Sequence, residues 1–117
     1  YIHGGFYMTA IACKSITVDT LLDALKGSPL PELIYRKYLE PIAEYDKFCG
    51  TDYMDFVADY IKYDGHIKTI SEKSYVHRNT VHYRIRKIEE ILGCDISRLD
   101  TKMNIMIAYA YYEHMTA

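Results

Sequence analysis

Cysteine is scarce in this chain, and the few cysteines present are poorly placed for disulfide or metal chemistry. Cys13, Cys49 and Cys94 are the only three among 117 residues, and they lie far apart in the sequence. An odd and widely spaced set provides neither a disulfide framework nor the closely spaced pairs of a zinc site. We therefore expect reduced thiols in a cytoplasmic protein, with no metal site and no cofactor.

Long apolar runs and targeting signals are missing as well. No stretch approaches the roughly 20 apolar residues of a membrane span, so we expect no membrane partner. Residues 1–5 lack the basic charge of a signal peptide, and the chain does not begin with methionine, so we expect it to be part of a longer protein. Half of the residues are apolar, which favours a folded domain over a disordered tail.

Patterns of catalytic residues are also missing. The sequence has no nucleophile–base pair, no set of metal ligands and no glycine-rich phosphate loop. His77 and His82 are five residues apart, so they do not share one face of a helix as a pair of metal ligands would. We therefore expect that the chain is not an enzyme.

Positive charge is concentrated in one segment of an acidic chain. The net charge is −2, yet residues 66–88 carry six Lys or Arg and a single acidic residue, whereas residues 1–61 carry five Lys or Arg and nine Asp or Glu. His66, His77 and His82 lie in the same basic segment. Such a patch localises an anionic partner, although chance clustering on a solvated helix face is the alternative interpretation.

Apolar periodicity predicts an all-α fold with short connections. The first predicted helix runs from Ser15 or Asp19 to Leu25, and the second covers 31–46 with a break near Glu40 caused by Pro41. The third is capped by Thr51 or Asp52 and ends at about Tyr63. The remaining three cover 67–74, about 78–92, and Thr101 to about His114. Phe6 to Cys13 fits either a short strand or the start of a helix. We divide the chain into helical lead-in segments at 1–47 and a small helical domain at 48–117.

The helices predicted at 67–74 and 78–92 form a helix-turn-helix, with the turn at residues 75–77. In the second helix Val81, Ile85, Ile88 and Leu92 form one apolar stripe. Asn79, His82, Tyr83 and Arg86 point the other way. A helix of this diameter fits the major groove of DNA, and its guanidinium, amide and imidazole groups suit phosphates and base edges.

The position of each residue on the second helix suggests its role. Arg78, Asn79 and His82 lie in the first turns, where such helices reach base edges. The residues predicted to contact phosphates or to position the DNA are Lys68, Lys73, His77, Thr80, Tyr83, Arg84, Arg86 and Lys87. Three alternatives stay open: Arg84 as a packing residue or a partner of Glu89 or Glu72, His82 as a plain surface residue, and Tyr83 as a half-buried aromatic.

The run from Asp64 to Leu92 resembles the C-terminal helix-turn-helix of PucR/CdaR-type bacterial transcription regulators. His-Arg-Asn-Thr at 77–80, Tyr-Arg at 83–84 and Arg-Lys-Ile-Glu-Glu at 86–90 carry this resemblance. It extends more weakly over residues 18–112, including the segment 39–46 and the closing helix. The resemblance implies sequence-specific binding to double-stranded DNA as part of a transcription regulator, with an effector-sensing region upstream.

Four departures from the family pattern bear on function. His66 replaces a usual Asn, and Ile70-Ser71 replaces a pair of alanines. Ser74 replaces a Leu, so the first helix is expected to sit more loosely on the small core. His82 replaces a common Arg, so DNA affinity is expected to rise as the pH falls.

Two further expectations concern partners. A single module with three or four base contacts gives only modest sequence specificity, so we expect a homodimer that binds an inverted repeat. The candidate dimer interfaces are the 101–115 helix and residues 18–46. A protein-interaction module that uses the same scaffold without DNA is the alternative function. The basic helix discriminates against it, because a protein-only module has little need for six cations against one acidic residue.

Overall fold

Helices make up all the regular secondary structure of residues 17–116, the part of the chain that the structure, a computed structural model, describes. In chain order they are α1 (Val18–Ala24), α2 (Leu30–Tyr38), α3 (Glu40–Cys49), α4 (Tyr53–Lys62), α5 (Ile67–Ser74), α6 (Arg78–Leu92) and α7 (Leu99–Thr116). The all-α prediction is confirmed, and α5 and α6 have the predicted bounds. The segment from Phe6 to Cys13, for which two interpretations were open, lies outside the described residues.

The predicted break in the 31–46 segment is confirmed at Leu39, between α2 and α3. Leu39 leaves helical geometry (φ −130°, ψ −38°) while its side chain is fully buried. Pro41 lies in the first turn of α3. A proline is tolerated there because the first backbone N–H groups of a helix have no intrahelical acceptor. The chain therefore changes direction around a core residue.

The start of α4 is capped by a side chain that the sequence did not single out. The predicted cap Asp52 is the N-cap residue but makes no side-chain hydrogen bond to the helix. Instead, Asp46 of α3 accepts hydrogen bonds from the backbone N–H groups of Tyr53 and Met54, both at 2.8 Å, and from the Thr51 hydroxyl at 2.5 Å. One carboxylate therefore joins α3 to the N-terminus of α4, where negative charge is also favoured by the helix dipole.

The turn between α4 and α5 is fixed by Tyr60. Gly65 has a left-handed φ of +70°, and a Cβ at this position would lie 3.1 Å from the Tyr60 ring. The Tyr60 hydroxyl donates a hydrogen bond to the Ile96 carbonyl at 3.1 Å, and burial raises its pKa to about 12. Because Gly65 has no Cβ, the turn can lie directly against the Tyr60 ring. The Tyr60 hydroxyl is in turn hydrogen-bonded to the loop before α7.

The hydrophobic core draws on helices from both sides of the predicted boundary at residues 47 and 48. α7 packs mainly along α2, and α6 packs against α3, α4 and α5. The fully buried side chains are Leu39, Ile42, Val57, Ile70, Val81, Ile88, Ile96 and Ile105. The lead-in helices and the helix-turn-helix therefore share one interior, and the boundary itself stays a prediction.

Replacing Asp46 by alanine is expected to lower the free energy of unfolding by about 1–2 kcal/mol, because two backbone N–H groups of α4 lose their acceptor. Urea unfolding followed by circular dichroism measures this change. Asp52→Ala serves as the matched control and should leave the midpoint nearly unchanged. Equal effects of the two substitutions would contradict the assignment of the cap to Asp46.

Candidate nucleic-acid interface

The turn between α5 and α6 is held by a small hydrogen-bond network around Ser71. The Ser71 hydroxyl donates to the Val76 carbonyl at 2.6 Å, and the Val76 N–H donates back to the Ser71 carbonyl at 3.2 Å. Tyr75 occupies the turn with left-handed backbone geometry (φ 55°, ψ 39°), and its N–H also donates to the Ser71 carbonyl. The direction of α6 relative to α5 is therefore fixed by several local bonds.

His77 caps the N-terminus of α6. Its Nδ1 atom accepts a hydrogen bond from the Asn79 N–H at 3.0 Å. A ring nitrogen that accepts a hydrogen bond carries no proton, so the neutral ring has its proton on Nε2. The sequence predicted a phosphate contact for this residue, and the structure adds a local role in starting the helix.

The apolar stripe of α6 faces the protein as predicted. Val81 and Ile88 are fully buried, and Ile85 and Leu92 are half-buried against the core. Ile70 of α5 is fully buried as well, and Ile67 and Val76 complete the packing around the turn. This packing leaves the opposite face of α6 in solvent.

Two of the predicted phosphate-binding cations turn toward aromatic rings of the protein. The Arg84 guanidinium carbon lies 5.8 Å from the centroid of the Phe56 ring, and Arg84 is half-buried. The alternative ion pair of Arg84 with Glu89 or Glu72 does not form among the described residues. Glu89 instead accepts a hydrogen bond from the Ile96 N–H at 3.1 Å.

Lys87 contacts α3 in a similar way. Its Nζ lies 5.6 Å from the centroid of the Tyr45 ring and 3.6 Å from Oε2 of Glu90. The pKa of Lys87 is raised above its usual range, mainly by Tyr45 and to a smaller extent by the negative charge of Glu90. The ammonium group therefore keeps its charge while it lies over the Tyr45 ring of α3.

The remaining predicted contact residues lie on the solvent-exposed sides of α5 and α6 and at the turn between them, a surface called the outer face below. Lys68, Lys73, His77, Arg78, Asn79, His82, Tyr83 and Arg86 are exposed, and Thr80 is half-buried. Tyr83 is 55% exposed, so the alternative of a half-buried aromatic is not favoured. Within residues 17–116, no ion pair involves the four cations of this face, Lys68, Lys73, Arg78 and Arg86, which are therefore available to an external anion.

An open cleft lies where the turn meets the start of α6. It has a volume of about 630 Å³ and is lined by Ser71, Val76, His77, Arg78 and Asn79. Two of the three predicted base-reading residues, Arg78 and Asn79, thus line one concavity. His82 lies one turn further along the exposed side of the same helix.

Ser74 is accommodated without an unsatisfied hydroxyl group. Its Oγ donates a hydrogen bond to Oδ2 of Asp59 on α4 at 3.3 Å, and both residues are half-buried. The polar group that replaces the usual leucine of the family pattern is therefore paired across the α4–α5 contact. The looser seating expected for α5 is offset by this bond.

Comparison with known proteins agrees with this geometry. Residues 53–111 match the family described as the PucR C-terminal helix-turn-helix domain, from the first residue of α4 into α7 and over half of the chain. The chain belongs to this family. The resemblance drawn from the sequence is thereby confirmed.

Two regulators of Bacillus subtilis (strain 168) are similar to the chain. The purine catabolism regulatory protein is 30% identical over 88 residues, which are 74% of this chain and 16% of that protein. The DNA-binding transcriptional activator AdeR is 25% identical over 73 residues, which are 62% of this chain and 17% of that protein. The chain thus spans about a sixth of the length of these relatives. No solved structure matches it.

Among the seven helices from Val18 to Thr116, none is both long and apolar enough to cross a membrane. In the described part of the chain, no cluster of three or more His, Cys, Asp or Glu side chains is arranged to hold a metal ion.

Arg84→Ala is expected to destabilise the protein by about 1 kcal/mol, because the guanidinium loses the Phe56 ring and its stem loses packing. Arg86→Ala on the exposed side should change stability little. Chemical unfolding of both variants under identical conditions measures the difference. Equal stability of the two variants would show that the contact with Phe56 does not hold α6.

Proposed function

We propose that this chain is the sequence-specific DNA-binding domain of a bacterial transcription regulator, with α6 as the recognition helix in the major groove. The observation that carries the proposal is the outer face of α5 and α6. Its four cations make no ion pair within residues 17–116, while the inner face of α6 is fixed to the core. An exposed cationic helix supported from behind meets the steric and electrostatic requirements of groove binding.

The base-reading residues in this proposal are Arg78, Asn79 and His82. Arg78 and Asn79 line the cleft at the start of α6, and both side chains are exposed. An arginine forks onto guanine and an asparagine onto adenine through pairs of hydrogen bonds, which specify the base. His82 extends the reading surface by one helical turn.

The positioning residues act on the sugar–phosphate backbone and are sequence-independent. They are Lys68, Lys73, His77, Thr80, Tyr83, Arg84, Arg86 and Lys87. Lys68, Lys73 and Arg86 are exposed and suited to direct contact with phosphates. Arg84 and Lys87 lie over aromatic rings, so their main contribution is to hold α6 while adding positive charge beneath it.

We further propose a homodimer that binds an inverted repeat. α7 and α2 pack against each other within one chain, so only their outer sides are open to a second copy. The apolar side chains exposed on α7 include Leu99, Met103 and Met106. These same side chains are the observation that supports the alternative function, a protein-interaction module without DNA binding.

The whole regulator is proposed to act in the cytoplasm, where its DNA lies, and to carry an effector-sensing region upstream of this segment. The similar proteins are a regulator of purine catabolism and a transcriptional activator, by their names.

Selection from a random pool of duplexes with this chain, at two salt concentrations, tests the function. Recovery of an inverted repeat would support both specificity and dimerisation, and failure to bind any duplex at low salt would refute DNA binding.

Arg78→Ala is expected to reduce the preference for the selected duplex over random DNA by about 5- to 100-fold, because one base contact contributes about 1–3 kcal/mol. Lys68→Ala should weaken binding to the selected duplex and to random DNA equally. It should also lower the slope of log affinity against log salt by about one. Fluorescence anisotropy at several salt concentrations measures both. Identical behaviour of the two variants would contradict the division between base reading and positioning.

His82→Arg is expected to bind the selected duplex more tightly than the unmodified chain, because arginine carries a permanent positive charge. His82→Gln, which never carries charge, provides the matched control and should gain no affinity. Fluorescence anisotropy at one pH and one salt concentration measures both variants. Equal affinity of His82→Arg and His82→Gln would exclude position 82 from the contact with DNA.

A further inference from the structure

Tyr75, in the turn between α5 and α6, combines two unusual properties. Its side chain is 94% exposed, the highest value among the large hydrophobic residues of the described part of the chain. Its backbone is left-handed, a conformation that is uncommon for residues other than glycine, asparagine and aspartate. A bulky aromatic therefore stands where glycine would be the least strained choice.

The fold gains little from the ring of Tyr75. A side chain this exposed contributes almost nothing to the core, and a left-handed residue after a helix is usually glycine because a Cβ is disfavoured there. Backbone strain of this kind persists where the surrounding structure imposes it, and it is concentrated at functional sites. The exposure and the strain together indicate a role outside the folding of this domain.

The surroundings of Tyr75 are the residues proposed to contact DNA. The Tyr75 and Val76 N–H groups both donate to the Ser71 carbonyl, and the Ser71 hydroxyl holds the Val76 carbonyl, so the base of the side chain is fixed. The next four residues, Val76 to Asn79, line the cleft at the start of α6. Lys73, two residues earlier in the sequence, is also exposed.

We propose that Tyr75 is a positioning residue that contacts one DNA strand at the edge of the major groove. Its ring lies against a deoxyribose, and its hydroxyl donates a hydrogen bond to a phosphate oxygen. This inference rests on the proposed function, because it assumes that α6 enters the groove. The contact is neutral, so it fixes register without releasing a counterion from the DNA.

Tyr75→Gly separates binding from folding because it should move the two in opposite directions. The melting temperature should rise by about 2–5 °C, since glycine relieves the left-handed strain. Affinity for the selected duplex and for random duplex should fall together by about tenfold, because both the ring contact and the hydrogen bond to a phosphate are lost. The slope of log affinity against log salt should stay unchanged, because no cation is removed.

Two matched variants sharpen the test. Tyr75→Phe keeps the ring and the strain but loses the hydroxyl, so the melting temperature should stay constant while affinity falls by about threefold. Lys73→Ala removes a cation beside the turn and should lower the salt slope by about one. Thermal unfolding and anisotropy titrations over a salt series provide all three readouts.

The binding and stability measurements separate failure of the role given to Tyr75 from failure of the proposed DNA binding. Absence of binding by the unmodified chain to any duplex at low salt would refute the proposed function and the inference with it. Binding by the unmodified chain with equal affinity for Tyr75→Gly would overturn the inference alone. A fall in the melting temperature of Tyr75→Gly would also overturn it, because the ring would then serve the fold.

Discussion

The burial of one side of α6 is the constraint on which the rest of the structure depends. Val81 and Ile88 are completely removed from solvent, and they contact a core built from α3, α4, α5 and α7. Burying two such side chains contributes roughly 3–6 kcal/mol by transfer free energies, more than exposed charge contacts on the same helix provide. The opposite face of α6 is therefore fixed in direction without having to contribute to stability.

The positive charges of the basic segment are divided between two tasks by this geometry. Arg84 and Lys87 lie over the rings of Phe56 and Tyr45, where they link α6 to α4 and α3. Lys68, Lys73, Arg78 and Arg86 face solvent. Aromatic rings attract cations without neutralising them, so the helix is attached to the protein while its positive potential is kept. An acidic chain can in this way present a locally cationic surface.

Local patterns explain how much of the fold was predictable. The bounds of α5 and α6 and the break before Pro41 follow from spacing or from residues with restricted backbones, and each was predicted. The cap of α4 was not predicted, because Asp46 lies seven residues before the first residue of the helix and acts across a bend. The bond between Ser74 and Asp59 was missed for the same reason, since it joins residues 15 apart in sequence.

The sequence by itself determined the helical class, the helix-turn-helix, the family and the candidate contact residues, because periodicity and motif spacing are properties of neighbouring residues. Only the tertiary structure decided which cations face solvent, since Arg84 and Arg86 are two residues apart and their different surroundings depend on where Phe56 lies. The tertiary structure also decided that the lead-in helices share the core. Contacts between distant segments depend on packing, and packing is not encoded in the spacing of any single helix.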